Sequence, residues 1–419
     1  MNWISFGFFG IAVLIGCTMF KKGADVMSPG RIFGLTWSIV LGLASLKLSR
    51  LQFDWTTTQW LYVLIGPISF LIGLLATYVI NVGTCFPSVT ELRRKMMRQT
   101  VNHVRLFYII FFAFVTYLGG MLAISSAKGP MPIFAPVPSA ARTEFSVFGI
   151  GLLVYNMPVV VFFTLVFHLL VPGQKVKKSI LKIIAFVTLI IYLFLLQRYA
   201  LIMISLMAIT LLYYASSYVR LKTVLIFVLF ACFVFYAIAT LRSGQVVQMA
   251  LYQLAEMKFP ARYAMFTDPY MYVAMNVENF VNAVTKLSHH TFGYYTFDFV
   301  FSSTQLKYPM KDYFGLEDAP YTLGGFNTFT LFWTYYRDFG ILGISVIPLV
   351  LGMFVGSRYY AMRLNPTIER VTVYCVIVFV MVLSFFVNLL GFLWFIYILA
   401  WLGITLSVIR VKTISYESS

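Results

Sequence analysis

The segment that decides the fold is "LLQRYALIM", Leu195–Met203, which sets an arginine between two apolar stretches. The stretch "IIAFVTLIIYLF" precedes it and "ISLMAITLLYY" follows it. Residues 180–218 are too long for one helix that crosses a bilayer, which takes about 20 residues, and they fit two. We therefore predict a turn near Gln197–Arg198–Tyr199 that joins two membrane-spanning helices.

Similar apolar blocks recur along the whole chain. Of the 419 residues, 61% are hydrophobic and 11% are charged, whereas soluble domains are about a quarter charged. This composition predicts an all-α, polytopic membrane protein with eleven transmembrane helices. The first block lacks a preceding basic region and a cleavage site, so we expect a retained helix and not a signal peptide. The predicted spans are 3–20, 32–48, 58–80, 106–126, 146–171, 180–197, 200–218, 223–241, 339–357, 371–387 and 391–409.

The net charge of +17 is distributed in short basic segments between the apolar blocks, such as "ELRRKMMRQTVNHVR" and "GQKVKKSILK". Short basic loops stay in the cytoplasm, so we place the N-terminus outside and the C-terminus in the cytoplasm. Topology and membrane lipid then account for the charge, and no nucleic-acid partner is expected. The four cysteines show no metal-ligand spacing, and we expect no disulfide.

This topology divides the chain into three parts. Residues 1–242 contain predicted helices 1–8, residues 243–338 form a large outer loop, and residues 339–419 contain helices 9–11 and the cytoplasmic C-terminus. Within the loop, "VAMNVENFVNAVTKL" and "QVVQMALYQLAEM" read as short amphipathic helices. Aromatic residues are dense between His290 and Tyr321. These side chains could stack on sugar rings. Alternatively, they form a belt at the membrane interface together with a small core of the loop.

Two arginines fall at helix ends on the outer side, where this scheme places few basic residues. Arg198 lies at the predicted turn and Arg242 follows the eighth helix in "LRSG". Each could simply extend its side chain to the interface. Alternatively, both bind an anion there, because a guanidinium donates a fork of hydrogen bonds to phosphate oxygens and stays charged. A lipid-linked diphosphate lies at that depth.

A third outer arginine, Arg337, lies in "YYRDFGILG", which follows "NTFT". With "LRSG" and "NVENF" upstream, these motifs resemble the Wzy family of O-antigen polymerases, which join oligosaccharide repeat units. "QRYALIM" is similar to an arginine motif that these polymerases share with O-antigen ligases. The resemblance covers roughly residues 180–400.

The resemblance implies a GT-C-type glycosyltransferase of the bacterial inner membrane, acting in lipopolysaccharide or other surface-polysaccharide biosynthesis. Its donor and acceptor would be oligosaccharides on undecaprenyl diphosphate, at the outer face. A chain-length-determining co-polymerase is a possible further partner. No cofactor and no metal is expected. The predicted diphosphate-binding residues are Arg198, Arg242 and Arg337, and Arg337 either binds phosphate or holds the carboxylate of Asp338.

Three residues are candidates for the base that takes the proton of the attacking hydroxyl. Asp338 either accepts this proton or orients the hydroxyl, or else it caps the ninth helix, since Asp is a favoured N-cap. Glu278 is either a base or part of a solvated helix face. His290 follows the "NVENF" helix, and the ligase relatives use an outer-loop histidine. Tyr294, Tyr295 and Asn327 are the predicted sugar-binding residues.

Two other functions fit the same features. An O-antigen ligase would use the same donor but transfer the glycan to lipid A core. A flippase or transporter of lipid-linked glycan would need charged or polar residues buried within the spans. Few such residues fall inside the predicted helices, and the distinctive residues gather at one face, which favours an enzyme. The adjacent acids Glu317 and Asp318 are expected to be solvated loop charges and not a metal site.

Overall fold

A computed structural model of the chain describes residues 3–21, 23–216, 223, 226, 248–313, 316, 321–323 and 326–410. Every regular element in these residues is a helix, which confirms the all-helical prediction for them. Short 3₁₀ helices lie at Pro132–Phe134, Ile150–Asn156, Ala261–Phe266 and Leu389–Gly391. The α-helices are α1 Trp3–Met19, α2 Pro29–Ser45, α3 Thr57–Ile80, α4 Val89–Met97, α5 His103–Lys128, α6 Pro138–Glu144, α7 Met157–Leu170, α8 Lys175–Leu193, α9 Tyr199–Ala215, α10 Thr267–Lys286, α11 Asp298–Ser303, α12 Lys307–Tyr313, α13 Leu331–Leu364, α14 Ile368–Leu383 and α15 Leu393–Ile409.

Four stretches in the described part of the chain are long and apolar enough to cross a membrane, with mean hydropathies of 2.1 to 2.3. Apart from residues 223 and 226, predicted span 223–241 lies outside the described residues. Each other predicted span coincides with a helix. The number of membrane crossings and the orientation of the termini stay predictions. The four stretches are Thr57–Ile80, His103–Phe134, Ile150–Leu170 and Leu331–Leu364.

The chain forms two compact units. The first contains Met1–Phe86, Ala239–Leu364 and Val376–Phe395, and the second contains Pro87–Ile238, Asn365–Cys375 and Ile396–Ser419. This division cuts across the three sequence segments, because chain neighbours 86 and 87 belong to different units.

In the first unit, glycines let α3 and α13 approach until their backbones touch. A Cβ added to Gly352 would lie 2.1 Å from the carbonyl oxygen of Phe70. One added to Gly73 would lie 2.1 Å from the carbonyl oxygen of Leu349. Small residues at such crossings are typical of helix pairs in membranes, where dispersion contacts drive association.

The start of α13 differs from the prediction. A ninth helix was expected to begin at residue 339, but the helical segment begins at Leu331 and its backbone breaks at Gly340, with φ of 62°. Left-handed backbone is accessible to glycine at little cost. Asp338 therefore lies within a helical segment before the break, and the prediction that it is an N-cap residue is wrong.

The second unit contains the turn predicted from the opening segment. Helix α8 ends at Leu193 and α9 begins at Tyr199, which confirms two helices with a break at residues 194–198. Leu196 adopts φ of 55° within the turn. Tyr192, at the end of α8, is fully buried and donates a hydrogen bond to Gln197 Oε1 at 3.3 Å. Burial of this residue anchors the turn.

A further helix was not anticipated in the basic segment that precedes α5. Helix α4 has a capping box, in which Ser88 Oγ accepts from the Glu91 N–H and the Glu91 carboxylate accepts from the Ser88 N–H. Leu92 and Met96 point inward and are fully buried. The sequence predicted a loop here, because the apolar face of α4 consists of few residues among many basic ones.

Candidate functional site

The candidate site lies in the first unit, where a turn at residues 290–296 rests on the end of the first segment of α13. The Thr291 N–H donates to the carbonyl of Arg337 at 3.2 Å, and the Phe292 N–H donates to that of Asp338 at 3.1 Å. These backbone bonds bring predicted site residues from two distant parts of the sequence together.

Asp338 fixes the shape of this turn. Its side chain is fully buried, and Oδ1 accepts hydrogen bonds from the Thr291 hydroxyl and from the Tyr295 N–H at 3.2 Å. Oδ2 accepts from the Thr296 N–H at 2.6 Å. A buried carboxylate that accepts three hydrogen bonds has most of its acceptor capacity occupied. Asp338 is therefore well placed to hold the turn.

Arg337 lies among aromatic rings. Its guanidinium carbon is 3.7 Å from the ring centroid of Tyr295 and 5.7 Å from those of Tyr321 and Trp333. Cations bind favourably to such ring faces. Within the part of the chain that the structure describes, the side chain makes no ion pair, and its buried Nε has no hydrogen-bond partner. The fork of donors is thus available for an anion.

His290 is exposed at the edge of the same turn. Its Nδ1 lies 3.3 Å from the carbonyl oxygen of Arg337, and its ring packs edge-on against Tyr336 with centroids 5.8 Å apart. A carbonyl only accepts, so in the neutral imidazole this contact assigns the proton to Nδ1 and the lone pair to Nε2. Nε2 lies beside the backbone break, 2.9 Å from where a Cβ on Gly340 would be.

The two predicted sugar-binding tyrosines lie side by side but differ in exposure. Tyr294 is only 3% exposed, donates its hydroxyl to the Lys307 carbonyl at 3.0 Å and stacks on Phe301. Tyr295 is half-buried and carries Arg337 on one face. Tyr294 is therefore covered by its neighbours, whereas Tyr295 keeps part of its side chain exposed.

An asparagine face of α10 holds the segment that leads into α13. Asn279 donates to the carbonyls of Phe326 at 2.6 Å and Thr328 at 3.0 Å, and accepts from the Leu323 N–H at 2.9 Å. Leu323, Phe326 and Thr328 lie outside any regular helix or strand that would pair their backbone groups, and the Asn279 side chain supplies three hydrogen bonds to them instead. The three residues of this face, spaced three apart, are Asn276, Asn279 and Asn282.

The asparagine face also positions one wall of the Arg337 site. Asn282 donates to the carbonyl of Tyr321 at 2.7 Å, and Tyr321 is one of the rings around the guanidinium. Asn327, a predicted sugar-binding residue, lies in the same segment with its side chain exposed. Asn327 therefore belongs to the segment that the asparagines of α10 hold in place.

Glu278 lies on the buried side of α10 and is not solvated, so the expectation of a solvated helix face is wrong. Its carboxylate forms an ion pair with Lys47 and accepts from Trp55 Nε1 at 2.9 Å and Gln52 Nε2 at 3.3 Å. Lys47 Nζ also lies 3.8 Å from a Trp55 ring centroid. Burial raises the pKa of the Glu278 carboxyl, and the charge of Lys47 opposes that shift.

Of the remaining predicted residues, the structure describes Arg198 alone. Arg198 is partly buried in the second unit, directly before the first residue of α9. Arg242, Glu317 and Asp318 lie outside the described residues. Among the described residues, no group of three or more His, Cys, Asp and Glu side chains is arranged to hold a metal ion.

Comparison of the chain with protein-family models, with curated protein sequences and with solved structures finds no match.

Several residues of the site were not anticipated from the sequence. Thr291 and Thr296 bond the Asp338 carboxylate, and Lys47 neutralises Glu278 from a loop more than 200 positions earlier. The asparagine spacing in "NVENFVN" was a usable signal, since residues three apart share a helix face. The ion pair between Lys47 and Glu278 had no signal in the sequence around either residue, because it depends on tertiary packing.

Proposed function

We propose that this protein is a membrane glycosyltransferase that transfers an undecaprenyl-diphosphate-linked oligosaccharide onto a second lipid-linked repeat unit, at the outer face of the bacterial inner membrane. The proposal rests on the resemblance to Wzy polymerases together with the site around Arg337. Its product is a surface polysaccharide such as O-antigen.

The observation that carries the proposal is the state of Arg337. A partly buried guanidinium surrounded by aromatic rings, with no acidic partner among the described residues, favours binding of an anion. A diphosphate supplies that anion, and sugar rings suit the aromatic surroundings. As the glycosidic bond breaks, negative charge grows on the diphosphate, and a fixed guanidinium stabilises it. Arg198 and Arg242 stay proposed diphosphate ligands on the sequence argument and the resemblance alone.

In the proposed reaction, a hydroxyl of the acceptor attacks the anomeric carbon of the donor. The bond from that carbon to the diphosphate oxygen breaks, and undecaprenyl diphosphate leaves with the electron pair. The proton of the hydroxyl goes to Nε2 of His290, which is exposed and carries the lone pair. Asp338 acts as a positioning residue, because its oxygens already hold the turn that bears His290.

Glu278 has the least favourable position of the three candidate bases. Glu278 itself is fully buried, and its oxygens accept from Lys47, Gln52 and Trp55. A base must come within hydrogen-bond reach of the proton that it takes. We therefore propose that Glu278 positions α10 and takes no part in proton transfer.

The decisive experiment is incubation of the purified protein with lipid-linked repeat units, followed by separation of the products. A ladder of products supports a polymerase. Transfer to added lipid A core identifies an O-antigen ligase instead. If neither product forms, while vesicles containing the protein move the lipid-linked glycan between leaflets, the protein is a transporter. Arg198→Ala and Arg242→Ala are expected to abolish the ladder while leaving the protein in the membrane.

A further inference from the structure

Helix α4 carries basic residues outward over a buried apolar face. Leu92 and Met96 are fully buried, whereas Arg94 and Lys95 are exposed. Met97, beside them, is 50% exposed. The apolar face of α4 packs in the protein, so the helix meets its surroundings through these cations and Met97. Cations beside an exposed apolar side chain suit the boundary between lipid head groups and hydrocarbon.

The segment that follows α4 is fastened to the ends of two apolar helices within the second unit. The Asn102 N–H donates to the carbonyl of Ile409 at 3.0 Å, at the end of α15. Gln99 donates to the carbonyl of Pro366 at 2.8 Å, beside the start of α14. Arg105 donates to a carbonyl in the last turn of α15 at 3.2 Å. These bonds place the start of α5, the start of α14 and the end of α15 at one level.

The exposed cations at this level form a set that we call the basic collar. Within it, Arg410 is 71% exposed and lies 3.7 Å from the carboxylate of Glu369. Exposed apolar side chains border the collar on the helices, including Val104 at 43% and Tyr108 at 65%. The basic collar consists of Arg94, Lys95, Arg98, Arg105, Arg370 and Arg410.

We propose that the basic collar binds the head groups of anionic phospholipids. Cations beside the ends of apolar helices face the depth at which lipid phosphates lie, and anionic lipids attract them over a Debye length. A soluble anion would satisfy the charges but not the exposed apolar residues at their border. The collar thus anchors the second unit to an anionic membrane surface.

The test uses the full-length purified protein in a neutral detergent, titrated with phosphatidylglycerol while native mass spectrometry counts bound lipid. The variant Arg98→Gln/Arg105→Gln/Arg410→Gln is expected to bind phosphatidylglycerol about 100-fold more weakly, since each basic residue near an anionic surface contributes roughly a factor of five. The control Lys128→Gln/Arg262→Gln/Lys286→Gln removes three exposed charges outside the collar and is expected to retain wild-type affinity.

Each arm has an outcome that overturns the proposal. Equal affinity of the wild type for phosphatidylcholine removes the requirement for anionic charge. Displacement of the lipid by inorganic phosphate at equal concentration identifies a free-anion site. Equal losses in the collar variant and the control show a non-specific effect of net charge. If the collar variant does not fold, wild-type binding that fails to weaken with rising salt overturns the proposal on its own.

Discussion

The backbone N–H of Thr296 donates a 2.6 Å hydrogen bond to the Asp338 carboxylate, which is fully buried. Through this bond and those from Thr291 and Tyr295, one side chain of α13 holds a whole turn of the candidate site. The arrangement connects stability with the proposed function, because the same turn carries His290, the proposed base.

Replacement of Asp338 by Asn is expected to lower both stability and turnover. The amide keeps one acceptor oxygen but directs an NH₂ group at a neighbouring N–H donor. The expected loss is about 1–3 kcal/mol of unfolding free energy, measured as thermal unfolding in detergent. Asp298→Asn, which removes a partly exposed ion pair with Lys307, is the matched control and should change little. Wild-type stability and turnover in Asp338→Asn would refute the positioning role.

Replacement of Arg337 by Lys should nearly abolish the product ladder although it keeps the charge. Lysine is a point charge and lacks the planar fork that binds two phosphate oxygens. Arg358→Lys is a control on the same helix, because Arg358 is exposed and also lies near a ring, that of Phe354, at 5.1 Å. Turnover and KM for lipid-linked substrate give the readout. Equal activity in both variants would remove Arg337 from the diphosphate site.

The two adjacent histidines offer a matched test of the proposed base. His290→Ala should lose turnover with little change in thermal stability, because the side chain is exposed. His289→Ala should keep wild-type turnover, since His289 is also exposed and its Nδ1 contacts Ser288. A ladder that survives His290→Ala and disappears with His289→Ala would transfer the proposed role to the neighbouring residue.

Lys47→Met is expected to destabilise the protein by about 3–5 kcal/mol, because it leaves the Glu278 carboxylate buried without its counter-charge. The double variant Lys47→Met/Glu278→Leu should recover part of the loss. Thermal unfolding of wild type, the two single variants and the double variant gives the coupling between the residues. A Lys47→Met protein as stable as wild type would show that the ion pair is dispensable.

The Glu278 cluster also sets a pH dependence for the same variant. Burial raises the pKa of Glu278, so the folded state binds the proton more tightly than the unfolded state. The stability that protonation of Glu278 contributes is fully present below the pKa of this carboxyl in the unfolded state. It is lost as the pH rises through the pKa of the carboxyl in the folded state. Removal of Lys47 raises that pKa further. The deficit of Lys47→Met should therefore shrink from about pH 7 to about pH 5, and with Glu278→Leu this effect should vanish.

Gly352→Ala should destabilise the contact between α3 and α13 by about 1–3 kcal/mol. The new Cβ would lie 2.1 Å from the carbonyl oxygen of Phe70, so the two backbones must move apart. Gly403→Ala is the control, because no atom lies within 4 Å of its added Cβ, and it should be neutral or stabilising. Comparable melting temperatures for the two variants would contradict the close approach.

The sequence by itself determined the long apolar helices in the described part of this protein. Runs of apolar residues about 20 long predict helices wherever they occur, and basic segments mark where they end. The break near Arg198 was predictable because residues 180–218 fit two spans and not one. The start of α13 was not, because a positive φ at Gly340 lets a second helical segment precede the apolar run.

Only the tertiary structure decided which residues share a site. The adjacent residues Arg337 and Asp338 differ in their surroundings, one among aromatic rings and the other within hydrogen bonds of a turn. Glu278 appeared to lie on the polar side of an amphipathic helix, yet it is buried against Lys47. The periodicity of apolar residues along a sequence shows which face of a helix is apolar. It does not show whether the polar face is exposed, because that face is also buried when distant side chains satisfy its charges and hydrogen bonds.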